Sequence, residues 1–108
     1  MIILTRLIPE KFDAITLGPV ILIRPDCKDD AGLIAHERVH VRQWKESWGM
    51  FWPRYLLSRR WRRDYEVEAY REQLRYSPHC LDLFAGYLSK NYRLGISIDI
   101  ARSLLSKP

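Results

Sequence analysis

Three residues with the spacing of a metal site lie in the segment LIAHERVHVRQW, residues 33–44, where His36, Glu37 and His40 form the pattern H-E-x-x-H. An α-helix turns about 100° per residue, so the two imidazoles project from one side on adjacent turns. Their ring nitrogens can both bind one metal ion at about 2 Å. Glu37 is rotated by about 100°, which suits a general base that holds a metal-activated water. The alternative is an ordinary helix whose histidines hydrogen-bond at the edge of the core.

A third ligand is expected among the carboxylates of the segment RRDYEVEAYREQL, which has the pattern of a helix. Glu66 shares the apolar face of this helix with Tyr70, whereas Glu68 lies about 200° away among charged residues. A buried carboxylate is costly unless it is paired or bound to metal. An inward Glu66 that faces an inward histidine pair is therefore consistent with a shared metal ion.

The motif HERVH, followed after 25 intervening residues by Glu66-Val67-Glu68-Ala69, resembles the gluzincin branch of the HExxH zinc metallopeptidases. The resemblance covers roughly residues 12–76, and the order of elements is similar to the minimal versions called minigluzincins. It implies Zn²⁺ bound by His36, His40 and Glu66, with Glu37 as general base. The implied fold is a small zincin-like domain.

The chain departs from the gluzincin pattern at Tyr70, where many members have an aspartate that orients a histidine. The group that orients the histidines is therefore left open. Tyr70 is our candidate for stabilising the tetrahedral oxyanion of peptide hydrolysis, and the alternatives are Arg71, His79 and Tyr87. No H-x-x-G-x-x-H continuation follows His40, which excludes the metzincin pattern.

The elements that must position these residues are predicted as strands first and helices afterwards. The segment FDAITLGPVILIRP, residues 12–25, predicts two strands joined at Gly18-Pro19. A helix is expected from a cap at Asp29 or Asp30 to about Trp48. Further along, residues 53–76 predict one long helix or two shorter ones, residues 81–91 predict another, and residues 92–105 mix strand and helix signals. This order indicates a single α+β domain over residues 1–108.

Two further expectations come from zincin-like architecture and from the unassigned end of the chain. The strand VILIR, residues 20–24, is expected to offer its edge to an extended peptide substrate. Residues 92–108 are a candidate cover for the cleft, which would make the enzyme latent.

The charge of the chain indicates an anionic partner without naming it, since the formal net charge is +5 and the pI is about 9.5. Arginines alternate with aromatic residues in the segment 48–65. Arg59, Arg60, Arg62 and Arg63 are the candidates for contact with an anionic polymer or surface. The alternative is that the aromatic side chains fill the core and the arginines cover it.

The predicted function is a zinc-dependent metallopeptidase acting on a peptide or protein, with a bacterial cell-wall peptide as a narrower variant. The alternative is a non-catalytic zincin-like binding module that uses the segment 48–65. Cys27 and Cys80 are far apart and are expected to be buried, inert thiols. The N-terminal residues lack a signal-peptide pattern and no run is apolar enough to span a bilayer, so a cytoplasmic location is expected; the oligomeric state stays open.

Overall fold

The computed structural model describes residues 1–107, and within them it shows an α+β fold of three short strands and five α-helices. In chain order these are β1 (Ile2–Leu4), β2 (Ala14–Leu17), β3 (Val20–Ile23), α1 (Ala31–Glu46), α2 (Phe51–Leu57), α3 (Arg59–Tyr76), α4 (Leu81–Asn91) and α5 (Ile98–Ser106). Short 3₁₀ turns at Pro25–Cys27 and Pro78–Cys80 precede α1 and α4. The predicted α+β class is confirmed.

The sheet is built on the predicted hairpin, in which β2 and β3 pair antiparallel around Gly18 and Pro19. Gly18 has a φ of +61°, a conformation that tight hairpin turns need and that side chains resist. A third strand, β1, pairs parallel to β3, so the strand order is β1-β3-β2. The prediction that residues 20–24 offer a free edge is therefore wrong, because β3 is central and β2 is the edge strand. The three-residue β1 was too short to be recognised from the sequence.

Helix α1 begins where the sequence predicts it, since Asp30 caps it by accepting a hydrogen bond from the backbone N–H of Leu33 at 3.0 Å. It ends at Glu46, two residues before the predicted end. Trp48, the predicted end of this helix, lies beyond it with a φ of +55° and is 95% exposed. That part of the prediction is wrong because the helical phase does not extend past the end of the helix.

Two helices, not one, follow Gly49, and Ser58 is the joint between them. Its N–H donates to the carbonyl of Arg54 at the end of α2, and its side chain accepts from the N–H of Trp61 in the first turn of α3. Helix α3 stops at Tyr76, before Pro78, as the sequence predicts. The joint turns the chain so that α3 packs against both α1 and α2.

Helices α4 and α5 both contribute to the core. Helix α4 has the predicted bounds, and α5 packs against α4 and α3. Leu94, Ala101 and Leu105 are buried in one apolar cluster with Tyr70 and residues of α4. The expectation that residues 92–108 cover the cleft is therefore wrong for residues 98–106, which pack against α3 and α4.

Two smaller findings bear on the sequence-based expectations. Cys27 and Cys80 are free, and each is partly exposed, so the expectation of buried thiols is wrong. Within residues 1–107, no helix has both the length and the apolar content needed to cross a bilayer.

Candidate metal centre

Packing of α1 against α3 brings the two histidines of HERVH onto Glu66. His36 and His40 are 4% and 5% exposed and Glu66 is 3% exposed, so three ionisable side chains share one buried position. One carboxylate oxygen, Glu66 Oε1, lies 3.2 Å from Nε2 of each histidine. Helical phasing therefore identified the inward carboxylate correctly.

The distances fit a divalent ion held by three protein atoms. Tetrahedral zinc with bonds of about 2.0–2.1 Å separates its ligand atoms by about 3.3 Å, close to the two nitrogen-to-oxygen distances of 3.2 Å. Within residues 1–107, Glu66 Oε1 has no donor aligned for a hydrogen bond, although it is fully buried. Because the two imidazole nitrogens and this carboxylate oxygen lie close enough to share one ion, the group of His36, His40 and Glu66 can hold a metal ion.

Without metal, the same group behaves as a buried ion pair. Burial by itself lowers the pKa of His40, but the charge of Glu66, its contact with the ring, the charge of Glu37 and the contact with Gln43 together raise that pKa to about 9. Burial raises the pKa of Glu66, but the charges of His40 and His36 and their contacts with the carboxylate together hold the pKa well below its usual range. At neutral pH the metal-free site therefore keeps a proton on His40, which a metal ion must displace.

A chain of polar contacts orients His40 from behind. Its Nδ1 lies 2.9 Å from Oε1 of Gln43, and the amide nitrogen of Gln43 donates to Glu68 at 2.7 Å and to the carbonyl of Tyr65 at 3.1 Å. Glu68 in turn pairs with Arg42 at 2.6 Å. Glu68 is half-exposed, as expected from its phase, and it supports the site from outside. Gln43 thus supplies the orienting group that the sequence left open.

His36 is held by packing instead. The ring of Tyr70 meets the ring of His36 edge-on, with 4.4 Å between centroids and 74° between planes. Nδ1 of His36 has no hydrogen-bond partner within residues 1–107, and neither does the buried Oε1 of Gln73 on α3. The two ligand histidines therefore differ in how they are positioned.

The hydroxyl of Tyr70, predicted to stabilise an oxyanion, lies 2.6 Å from the hydroxyl of Tyr92. Burial, followed by the charge of Glu66, raises the pKa of both tyrosines well above the usual range, so both keep their protons. Of the alternatives, His79 is exposed in a turn, Arg71 donates to the carbonyl of Lys107, and Tyr87 lies on α4 beside Phe84.

Glu37 lies beside the three-residue group and is 4% exposed. Its Oε2 is 3.6 Å from Nε2 of His36, and its Oε1 accepts a hydrogen bond from the hydroxyl of Thr16 at 3.0 Å. Thr16 also donates toward the Glu37 carbonyl at 3.2 Å. Strand β2 alternates, so Ala14 and Thr16 face α1, and this places a hydroxyl where it fixes the rotamer of the carboxylate.

The second oxygen of Glu66 is also occupied. The hydroxyl of Tyr55 on α2 donates to Glu66 Oε2 at 2.5 Å. Burial and then the charge of Glu66 raise the pKa of Tyr55 far above its usual value, so Tyr55 stays a donor. Helix α2 therefore takes part in positioning the carboxylate.

The group opens on a cavity of about 450 Å³ between β2, α1, α2 and the segment after α4. Its walls are the site residues His36, Glu37, His40 and Glu66, the strand residues Ala14, Ile15 and Thr16, and mainly aromatic or aliphatic side chains such as Phe51, Trp52 and Leu56. A second cavity of about 430 Å³ lies on the other side of His36 and Glu37 and includes Tyr70 and Gln73. Concave, largely apolar walls around a few converging polar groups are typical of ligand sites.

No relative identifies the site. The chain matches no protein-family model, and neither the curated proteins nor the solved structures include a significant match to it. Any assignment of function therefore rests on the chemistry of the residues described above.

In the basic segment, residues 48–65, some arginines bind other groups of the protein and others are exposed. The guanidinium of Arg62 donates to the carbonyls of Tyr92 and Tyr55, each at 2.7 Å, and to that of Arg93 at 3.3 Å. Arg62 is half-buried and its guanidinium binds three carbonyls of the protein itself, whereas the sequence predicts it as a surface contact. Arg63 pairs with its neighbour Asp64 at 3.2 Å, whereas Arg59 and Arg60 are exposed.

Sequence reasoning missed Thr16, Gln43 and Tyr55. The sequence could have indicated Gln43, because it lies three residues after His40 on the same face of one helix. Thr16 is a polar residue at an inward position of an alternating strand, which is a weaker signal. Tyr55 left no signal, because its contact depends on the angle between α2 and α3.

Proposed function

We propose that the protein is a zinc-dependent metallopeptidase of the gluzincin type that hydrolyses peptide bonds. One observation carries the proposal: His36, His40 and Glu66 converge in a buried position while the carboxylate of Glu37 lies beside them in the same cavity. A purely structural metal site would use a fourth protein ligand and would not need a separate, oriented carboxylate.

Zinc suits this donor set better than other ions. Two imidazoles and one carboxylate are the ligands of hydrolytic zinc sites, and three protein ligands leave a position open. When bound, zinc supplies Lewis acidity toward the substrate carbonyl and increases the acidity of water. One carboxylate oxygen of Glu66 is held by Tyr55, so the other is free to act as the ligand.

Glu37 is proposed as the general base. Thr16 holds one oxygen of the carboxylate and leaves the other directed toward the histidines, where it takes a proton from water and later gives it to the leaving amine. Tyr70 and Tyr92 share a hydrogen bond and both stay protonated. In the proposed arrangement Tyr92 donates to the oxyanion and Tyr70 holds the hydroxyl of Tyr92 in place.

The proposed substrate is an extended peptide segment. Strand β2 has one unpaired edge, and its residues Ala14, Ile15 and Thr16 line the cavity. A peptide that pairs with this edge receives backbone hydrogen bonds in register with the site, and the apolar walls near Phe51 and Trp52 favour an apolar side chain next to the scissile bond.

The alternative is a non-catalytic module whose basic aromatic segment, residues 48–65, binds an anionic partner. The exposure of Arg59 and Arg60 favours this second candidate. Glu37 distinguishes the two functions, because a peptidase needs this base beside its metal group and a binding module does not.

The test is metal analysis combined with peptide hydrolysis. Wild-type protein is expected to contain about one zinc per chain and to cleave a mixed peptide library. Glu37→Gln should keep the metal and lose hydrolysis by about 100- to 10,000-fold, because the amide cannot take the proton. A wild-type chain that binds no divalent metal would refute the proposal, and full activity in Glu37→Gln would refute the role of Glu37.

A further inference from the structure

An apolar corner projects from the protein where α2 meets α3. Leu56 is 66% exposed, Leu57 is 88% exposed and Trp61 is 42% exposed, all within three residues of Ser58, which links the two helices. A single exposed apolar side chain is ordinary, but several close together mark an interaction surface. We refer to these three residues, with Arg54, Arg59 and Arg60, as the α2–α3 corner.

The corner is also positively charged. Arg59 and Arg60 are exposed, and no ion pair formed within residues 1–107 involves either of them. The guanidinium of Arg54 lies over the ring of Trp61, 4.2 Å from its centroid, which fixes the indole at the surface. Apolar side chains and unpaired positive charges therefore occupy the same few residues.

We propose that the α2–α3 corner docks the protein on the surface of an anionic lipid bilayer. Leucine side chains enter the acyl boundary, an indole is stable at the headgroup level, and arginines bind lipid phosphates. Because no described helix can span a bilayer, this contact is interfacial. The net charge of +5 acts in the same direction.

Two other occupants fit less well. A second copy of the chain would place Arg59 and Arg60 against the same residues of its partner in a two-fold interface, which like charges oppose. A nucleic acid would use the arginines and Trp61, but it has no use for two exposed leucines, since single strands bind by stacking on aromatic rings. The aliphatic part of the corner therefore favours lipid.

The position of the corner relates it to the cavity. Leu56 belongs to the corner and also lines the 450 Å³ cavity beside the metal group. A bilayer held at the corner would lie next to that cavity. If the proposed peptidase function is correct, peptide segments close to a membrane surface are its natural substrates; the docking itself does not depend on that function.

The experiment measures binding of the full-length protein to two sets of vesicles, one of phosphatidylcholine and one of phosphatidylcholine and phosphatidylglycerol in equal amounts, by co-sedimentation. We expect binding to the anionic vesicles, a blue shift in tryptophan emission, and weaker binding at higher salt. Leu57→Ser should weaken binding roughly tenfold through lost apolar contact. Arg60→Gln should weaken it by about fivefold.

Matched controls separate docking from general charge attraction. Leu7 is 89% exposed but lies in the loop after β1, so Leu7→Ser should bind like wild type. Arg75 is exposed at the other end of α3, so Arg75→Gln should also bind like wild type. Glu37→Gln should bind vesicles normally even if no peptide is ever cleaved, which keeps failure of the two proposals distinct.

Three results would overturn the docking proposal. The first is an absence of binding to anionic vesicles, and the second is equal weakening by Leu57→Ser and Leu7→Ser. The third is a different occupant: self-association in analytical ultracentrifugation that Leu57→Ser abolishes, or binding of a single-stranded oligonucleotide that depends on Arg60 but not on Leu57.

Discussion

The α1–α3 interface and the α2–α3 corner invert the usual distribution of side chains in opposite ways. At the interface, His36, His40 and Glu66 are buried although they ionise. At the corner, Leu57 and Trp61 are exposed although they are apolar. Buried polar groups and exposed apolar patches are the informative exceptions in a folded protein, and each of these two underlies one of the proposals above.

Helix α3 contributes a residue to each place, Glu66 to the interface and Trp61 to the corner. Trp61 and Arg60 lie in the first turn of α3 and are exposed, whereas Glu66 lies one to two turns later and is buried against His36 and His40 of α1. Position along the helix decides which residues meet a partner helix, and angular phase decides which of those face inward. The interface can hold a metal ion, and the corner combines exposed apolar side chains with unpaired positive charges.

The largest expected effect is loss of the metal when a ligand is removed. His36→Ala and Glu66→Gln should bind no stoichiometric zinc, because two remaining protein ligands do not hold the ion. Glu68→Gln, its neighbour on the outer face, should bind zinc like wild type, since an amide oxygen can still accept from Gln43. Metal content by mass spectrometry after dialysis measures all three. Retention in Glu66→Gln with loss in Glu68→Gln would reverse the assignment.

The next effect is a dependence on pH. A metal ion must displace the proton that His40 holds up to a pKa of about 9, so zinc affinity should rise by about tenfold per pH unit between about pH 6 and pH 8. Competition with a fluorescent chelator measures this slope. A slope near zero would show that His40 is already neutral in the metal-free protein.

The same groups give the metal-free protein the opposite dependence. The pKa of His40 is raised on folding, so its contribution is complete below about pH 6.5 and is lost as pH rises through about 9. The pKa of Glu66 is lowered, so its contribution is present above about pH 4.5 and is lost on acidification. Urea unfolding in the presence of chelator should therefore show the highest free energy of unfolding between about pH 4.5 and about pH 6.5. Stability that increases from about pH 6.5 to pH 9 would contradict the ion pair.

Smaller still is the effect of the residue that orients His40. Gln43→Met keeps the length of the side chain but removes the acceptor at 2.9 Å from Nδ1, so zinc affinity should fall by about 10- to 100-fold. The same competition assay measures it, with circular dichroism to confirm folding. Unchanged affinity would mean that packing alone holds His40, as it does His36.

The smallest effect is expected at the corner. Leu57→Ser should change the free energy of unfolding by less than about 0.5 kcal/mol, because Leu57 is 88% exposed. Phe51, on the same helix and 2% exposed, provides the contrast, since Phe51→Ala should cost about 3–5 kcal/mol. Chemical denaturation compares the two. A large loss in Leu57→Ser would place that residue in the core and remove the basis for docking.

Periodicity predicted the parts of the fold and site that depend on a single element. The bounds of α4, the cap at Asp30 and the choice of Glu66 over Glu68 follow from spacing within one helix. The hairpin at Gly18 followed from local turn chemistry. In each case the residues that decide the outcome are close together in the sequence.

Contacts between distant elements were not predictable in this way. The insertion of β3 between β1 and β2, the bond from Tyr55 to Glu66, and the capture of Arg62 all depend on how elements pack. Arg62 has the same surface-like sequence context as Arg60, yet three carbonyls surround it. A pattern within one helix carries no information about which carbonyls a neighbouring loop presents.

The three bonds of Arg62 make it a noncovalent cross-link in a chain whose cysteines are free. It closes a loop of 30 residues between α3 and the segment after α4, and it also fastens that segment to α2, so one side chain joins three stretches that border the cavity. A lysine, with a single ammonium on a flexible stem, lacks the planar fork that reaches all three carbonyls. Exchange of this one arginine for lysine keeps the charge but loses hydrogen bonds to these carbonyls, and it would therefore loosen the cavity wall.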